Sequence, residues 1–206
     1  MAQRHDLYFF AYPPPSVAAA AAALWCGRRS PLEAHGNGQM PADRLHITLH
    51  PLGQFMDFVP LDVLDLARAV GAAVDEEPFD VAFDRLQSRN RTNVPGTVEL
   101  AGHGPALRQL RRFQRCLGDT MRGKGFAPPA VRTSFFPHIT LDYKHMPVVR
   151  QTIAPMAWRV TKFFLVDSLH GQGRHDVLAE WTLNARQREF SDWETVSYTP
   201  LNQLYP

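Results

Sequence analysis

At 206 residues, 45% hydrophobic and 11% aromatic, the chain can bury a sizeable core as one globular unit or two intimately packed lobes. A formal net charge of +2 and a pI near 8.7 argue against a protein that wraps long duplex nucleic acid on a basic stripe, but they permit a locally positive cleft. Cys26 and Cys116 are the only cysteines and lack metal-type spacing, so a disulfide framework is not expected and a reducing cytoplasm fits best.

In chain order, residues 7–12 (LYFFAY) read as a buried strand ended by Pro13, Pro14 and Pro15. The Ala-rich stretch 16–28 reads as a helix with Ser16 as N-cap, and 30–42 as a Gly- and Pro-containing loop. Its apolar part, 17–25, is too short to span a bilayer, and the opening residues lack a signal-type apolar region, so no membrane contact is expected. Residues 44–50 form the next strand, stopped by Pro51 and Gly53. Apolar residues at 63, 64, 67, 70 and 74 give helical spacing over 61–74. Residues 79–86 alternate as a half-buried strand, and 97–101 pair with them across a turn near 93–96. A second long helix covers 105–122, with Leu107, Leu110, Leu117 and Met121 inward. Its arginines at 108, 111, 112 and 115 read as a solvated face. A loop over 123–137 leads to a strand at 138–143, and 160–167 and 177–183 close as a hairpin across Gly171-Gln172-Gly173. This order predicts an α+β fold of largely antiparallel sheets with helices packed outside. The reading is one bilobal domain over 1–206, with its core at about 5–184 and a polar tail at 185–206.

The tetrapeptide His-Ile-Thr-Leu occurs twice, at 46–49 and 138–141. The chain has only three Ile, so shuffling would produce even one copy about once in a thousand chains. On a strand, residues i and i+2 share a face, so each copy presents an imidazole beside a hydroxyl while Ile and Leu enter the core. Two such strands facing one cleft suit acid–base chemistry on a phosphate. Imidazole, with an ordinary pKa near 6.5, holds either protonation state near neutrality.

Paired His-x-Thr strand motifs about ninety residues apart resemble the 2H phosphoesterase superfamily, and within it the RNA 2′,3′-cyclic phosphodiesterases long called 2′-5′ RNA ligases. The early aromatic strand before prolines, Arg44-Leu45, Leu52-Gly53, Phe135-Phe136-Pro137 and the closing run from Phe164-Leu165 through Gly171-x-Gly173-Arg174 to Trp181 carry the same resemblance. It implies a bilobal pseudo-twofold fold, two antiparallel sheets lining a central cleft. It also implies metal-independent hydrolysis of RNA or nucleotide 2′,3′-cyclic phosphates to 2′-phosphomonoesters, with no cofactor and reversible 2′-5′ ligation allowed in principle. Carried over, His46 is the proton donor, His138 the proton acceptor, and Thr48 and Thr140 bind the non-bridging oxygens. Where relatives often have Ala-Phe after the first motif, this chain has His50-Pro51. The residues beside the motifs, His50, Arg132, Tyr143 and Lys144, are candidates for substrate contact. RNA ends or small cyclic nucleotides are the expected partners, with no protein partner and a monomer as the default.

Two rival readings share the residues. A metal hydrolase could use His46 and His50, but i, i+4 spacing gathers ligands on a helix, and this segment alternates as a strand before Pro51. A non-catalytic module could hold a nucleotide or RNA end in the same cleft. His103, His170 and His175 read as surface residues in loops or turns, and Trp181 and Phe164 as core.

Overall fold

The computed structural model describes residues 2–89, 94–126, 134–169 and 171–184. The expected turn at 93–96 and loop at 123–137 lie partly outside these residues, and Arg132, His170 and the 185–206 tail lie wholly outside them. The chain runs β1 (Arg4–Ala11), α1 (Pro15–Cys26), β2 (Ile47–Met56), α2 (Leu61–Ala73), β3 (Phe79–Ser88), β4 (Gly96–Ala101), α3 (Arg108–Lys124), β5 (His138–His145), β6 (Gln151–Val160), β7 (Lys162–Leu169) and β8 (Arg174–Thr182). The strands form two antiparallel four-stranded sheets, ordered β2-β1-β7-β8 and β5-β4-β3-β6. The expected α+β class and paired sheets are as found.

Three expectations change. β2 does not stop at Pro51 but runs on to Met56. Pro51 is tolerated because β2 is an edge strand and a register shift adjoins the Tyr8–Pro51 pair, so the missing N–H interrupts no interior ladder. A strand that the sequence does not predict, β6, is the edge of the second sheet, and its Pro155 falls within a matching irregularity beside Phe83–Arg85. Proline hides the second half of one edge strand and the whole of another. α1 begins at Pro15 and not after a Ser16 cap, because proline's fixed φ and missing N–H suit the first helical turn.

One continuous core joins the sheets. Phe113 of α3 packs its ring against Phe79 of β3 at 5.3 Å and against Phe163 of β7 at 5.4 Å. Phe163 in turn stacks on Trp181 of β8, whose indole lies so close to Gly71 of α2 that a β-carbon there would meet it at 2.3 Å. Trp181 is thus half-buried and packed against the core. Phe164 is only half-buried and lies edge-on to Tyr12, on the side of the first sheet away from that packing. Among the described residues no helix is long and apolar enough to cross a membrane.

Candidate active site

The two motif strands are built alike. Leu45, Ile47 and Leu49 enter the core from one, Ile139 and Leu141 from the other, and all are at most 1% exposed. Alternation leaves His46, Thr48, His138 and Thr140 on the opposite faces, partly exposed. Each imidazole Nδ1 lies against the main-chain carbonyl two residues earlier, His46 on Arg44 at 2.7 Å and His138 on Phe136 at 2.8 Å. A carbonyl only accepts, so Nδ1 carries the proton and Nε2 is the nitrogen that can give or take one.

Just past each motif the register slips by one residue. Phe10 faces Thr48 but Phe9 faces His50, and Glu99 faces Thr140 but Val98 faces Asp142. The extra residue reverses the alternation, so His50 and Asp142 turn into the core, both 0% exposed. His50 Nε2–H donates to the Gln114 carbonyl of α3 at 2.9 Å. Asp142 accepts from Trp25 Nε1 of α1 at 3.2 Å, from Arg29 Nε just beyond it at 2.9 Å, and from the Lys144 amide at 2.8 Å. His50, read from the sequence as a substrate contact, is instead fully buried and ties β2 to α3. Tyr143 and Lys144 stand exposed beyond the second bulge, where the Tyr143 amide donates to Gly38 and the Lys144 carbonyl accepts from His35.

The first histidine sits among rings. His46 stacks on Phe10 with centroids 3.8 Å apart, and Tyr12 and His175 approach it edge-on at 6.2 and 5.1 Å. His175 Nδ1 lies 3.2 Å from the Tyr12 hydroxyl. Burial pushes the His46 pKa down to about 3; the Arg44 carbonyl bond opposes this, and the charges of His175, His138 and Arg44 reinforce it. That His138 acts on His46 puts the two motifs within electrostatic reach. Burial, then the Arg44 charge, lowers His175 to about 4. Sequence reasoning misses His175, because it starts the last strand at Val177 when that strand begins at Arg174. The Gly171-x-Gly173 turn was the available signal: a tight hairpin leaves His175 paired, opposite Ser168.

Both depressed values carry a sign for stability. An unfolded histidine titrates near 6.5, so the unfolded chain binds more protons below that pH, and stability falls as pH drops towards about 3 to 4. The His175→Gln variant should therefore lose less stability than the wild type between pH 7 and pH 5 in urea unfolding. Equal losses would mean that His175 charges as readily folded as unfolded.

Two cavities flank the motifs. One, about 710 Å3, lies under Tyr12 between Pro13, Pro14, Phe164, Arg159 and Lys162. The other, about 900 Å3, lies over the second sheet beside Phe136 and Pro137, the residues just before His138. Among the described residues no three His, Cys, Asp or Glu side chains gather as a metal site. Cys116 is partly buried, and desolvation with Glu76 nearby pushes its thiol up to about 11, which does not suit a nucleophile.

The model of the 2′-5′ RNA ligase superfamily matches residues 13–172, a span that holds both motif strands. The chain belongs to that superfamily. It is therefore a 2H phosphoesterase, in a superfamily of phosphoesterases and 2′-5′ RNA ligases. Among solved structures it resembles E. coli LigT complexed with 3′-AMP, at 26% identity and TM-score 0.67, covering 88% of this chain and 99% of that one. E. coli LigT complexed with ATP is similar at 25% identity and TM-score 0.66, covering 88% and 99%. TT0787 of Thermus thermophilus shares the fold at 23% identity and TM-score 0.70, covering 86% and 97%. No curated protein matches the chain. The repeated tetrapeptide follows this chain's two-sheet architecture: one motif strand lies in each sheet, each at an edge.

Proposed function

We propose that the cleft hydrolyses the 2′,3′-cyclic phosphate of an RNA end or nucleotide to a 2′-phosphomonoester, without a metal. The observation that carries this reading is the matched anchoring of His46 and His138, each holding Nδ1–H on a main-chain carbonyl. Water attacks phosphorus and gives its proton to His138 Nε2. The P–O3′ bond breaks as His46 Nε2 delivers a proton to the departing oxygen. Thr48 and Thr140 donate their hydroxyls to the two non-bridging oxygens, where charge builds. Membership of a phosphoesterase and RNA ligase superfamily and the nucleotides held by E. coli LigT structures support the substrate class.

His46 at about 3 is neutral in the resting protein, whereas a proton donor must be charged. A phosphodiester anion in the cleft opposes the desolvation and raises that pKa, so substrate itself arms the acid. The resting state also favours a second reading with the roles exchanged: His46 takes the proton and the 2′-oxygen leaves. Incubation with 2′,3′-cyclic AMP in EDTA separates the two. A 2′-phosphate product is expected; a 3′-phosphate would reverse the roles. Zinc-reversible loss of turnover in EDTA would sink metal-independent hydrolysis.

A further inference from the structure

The faces that carry the two motifs are unlike. Around His46 the first sheet presents rings: Phe10, Tyr12 and His175, with Phe164 against Tyr12. The second sheet presents cations. Its cross-strand rows run from His138 through Ala101 to Arg85, and from Thr140 through Glu99 to Gln87, so Arg85 stands two strands, about 10 Å, from the His138 backbone. Of these, Arg85, Gln87, Glu99 and Ala101 floor the 900 Å3 groove, which begins at Pro137 beside the motif and whose rim adds Arg89, Arg111 and Arg150, with His103 accepting a hydrogen bond from Arg85. The carboxylate in its lining, Glu99, is buried and already taken by Arg89 Nη2 at 2.7 Å and Gln87 Nε2 at 3.1 Å. Arg111 also borders a neighbouring depression of about 330 Å3 shared with Arg108, Arg112 and Arg115 on α3. On a chain of net charge +2, cationic groups are thus concentrated along one flank that starts beside the second motif. Within it Phe136 is 76% and Val149 81% exposed, apolar surfaces set among the arginines.

We infer that this flank is the track for the single-stranded RNA lying 5′ of the reacting end. The inference rests on the cleft's taking an RNA-terminal phosphate, and it adds that the preferred substrate is a strand and not a mononucleotide. Guanidinium groups meet successive backbone phosphates, and the Phe136 ring offers a face on which a base can stack. The α3 arginines, which the sequence alone presents as a merely solvated face, continue the groove. A mononucleotide occupies the cleft and leaves the track empty.

The test compares binding of a fluorescein-labelled octaribonucleotide ending in a 2′-phosphate with binding of adenosine 2′-monophosphate. Both are measured on the wild type and on the double variant Arg111→Glu, Arg150→Glu. The wild type should prefer the oligonucleotide, and the variant should lose about tenfold of that preference. Its salt slope should also be shallower, by about 0.7 for each backbone phosphate that no longer meets a cation. An unchanged preference, or equal weakening of both ligands, would overturn the track. So would displacement of the RNA by oligoglutamate as readily as by unlabelled RNA. Failure of the hydrolytic reading shows separately, as a wild type that turns over no cyclic phosphate while the oligonucleotide preference still judges the track.

Discussion

Replacing either motif histidine, His46→Ala or His138→Ala, is expected to lower kcat/KM on a 2′,3′-cyclic phosphate by about 10²- to 10⁴-fold, the usual worth of a positioned general acid or base. The double variant should fall little below the weaker single, because in the proposed mechanism the two imidazoles serve one in-line displacement and removing either leaves the other without a partner step. Thr48→Ala and Thr140→Ala fall less, since each removes one of several hydrogen-bond donors. Steady-state kinetics on purified variants, with circular dichroism to show that they fold, make the measurement. Near-wild-type turnover by the double variant would remove the motif from the chemistry altogether.

The largest effect on stability is expected at Asp142. Its carboxylate is fully buried and holds Trp25, Arg29 and the Lys144 amide together. Asp142→Ala leaves the Arg29 guanidinium, only 22% exposed, without its counter-charge, and an indole N–H and a main-chain amide without an acceptor. Breaking a buried pair in this way costs about 3–5 kcal/mol. Asp142→Asn keeps an acceptor but not the charge and should cost less. Equilibrium urea unfolding at pH 7 reads both, and a loss below about 1 kcal/mol for the alanine variant would show that the site collapses without strain.

Much of this is legible in the sequence, for identifiable reasons. Two copies of one rare tetrapeptide announce a pair of strands, and strand periodicity alone assigns His46, Thr48, His138 and Thr140 to one face each. Periodicity then misleads where the period itself breaks. A bulge leaves no mark in a stretch of apolar residues, so His50 reads as part of the cleft when one inserted residue has turned it inward. Asp142 escapes notice for the same reason. Proline misleads in the other direction: Pro51 and Pro155 argue against a central strand, but both sit in edge strands, which topology decides and local sequence does not. His175 is hidden by distance, since it reaches His46 only once the last hairpin lies across the first sheet.

The paired bulges also bear on how the molecule comes apart. β2 is fastened through His50 to α3, a helix from the later half of the chain, and β5 through Asp142 to α1, a helix from the earlier half. Each half therefore guards the other's motif. A helix that frays takes with it the anchorage of a motif strand on the opposite sheet, so the two sheets should open as one cooperative unit and not as independent foldons. Hydrogen exchange would see a single slow class spanning β2 and β5, and the cleft would keep its shape until the whole fold is lost.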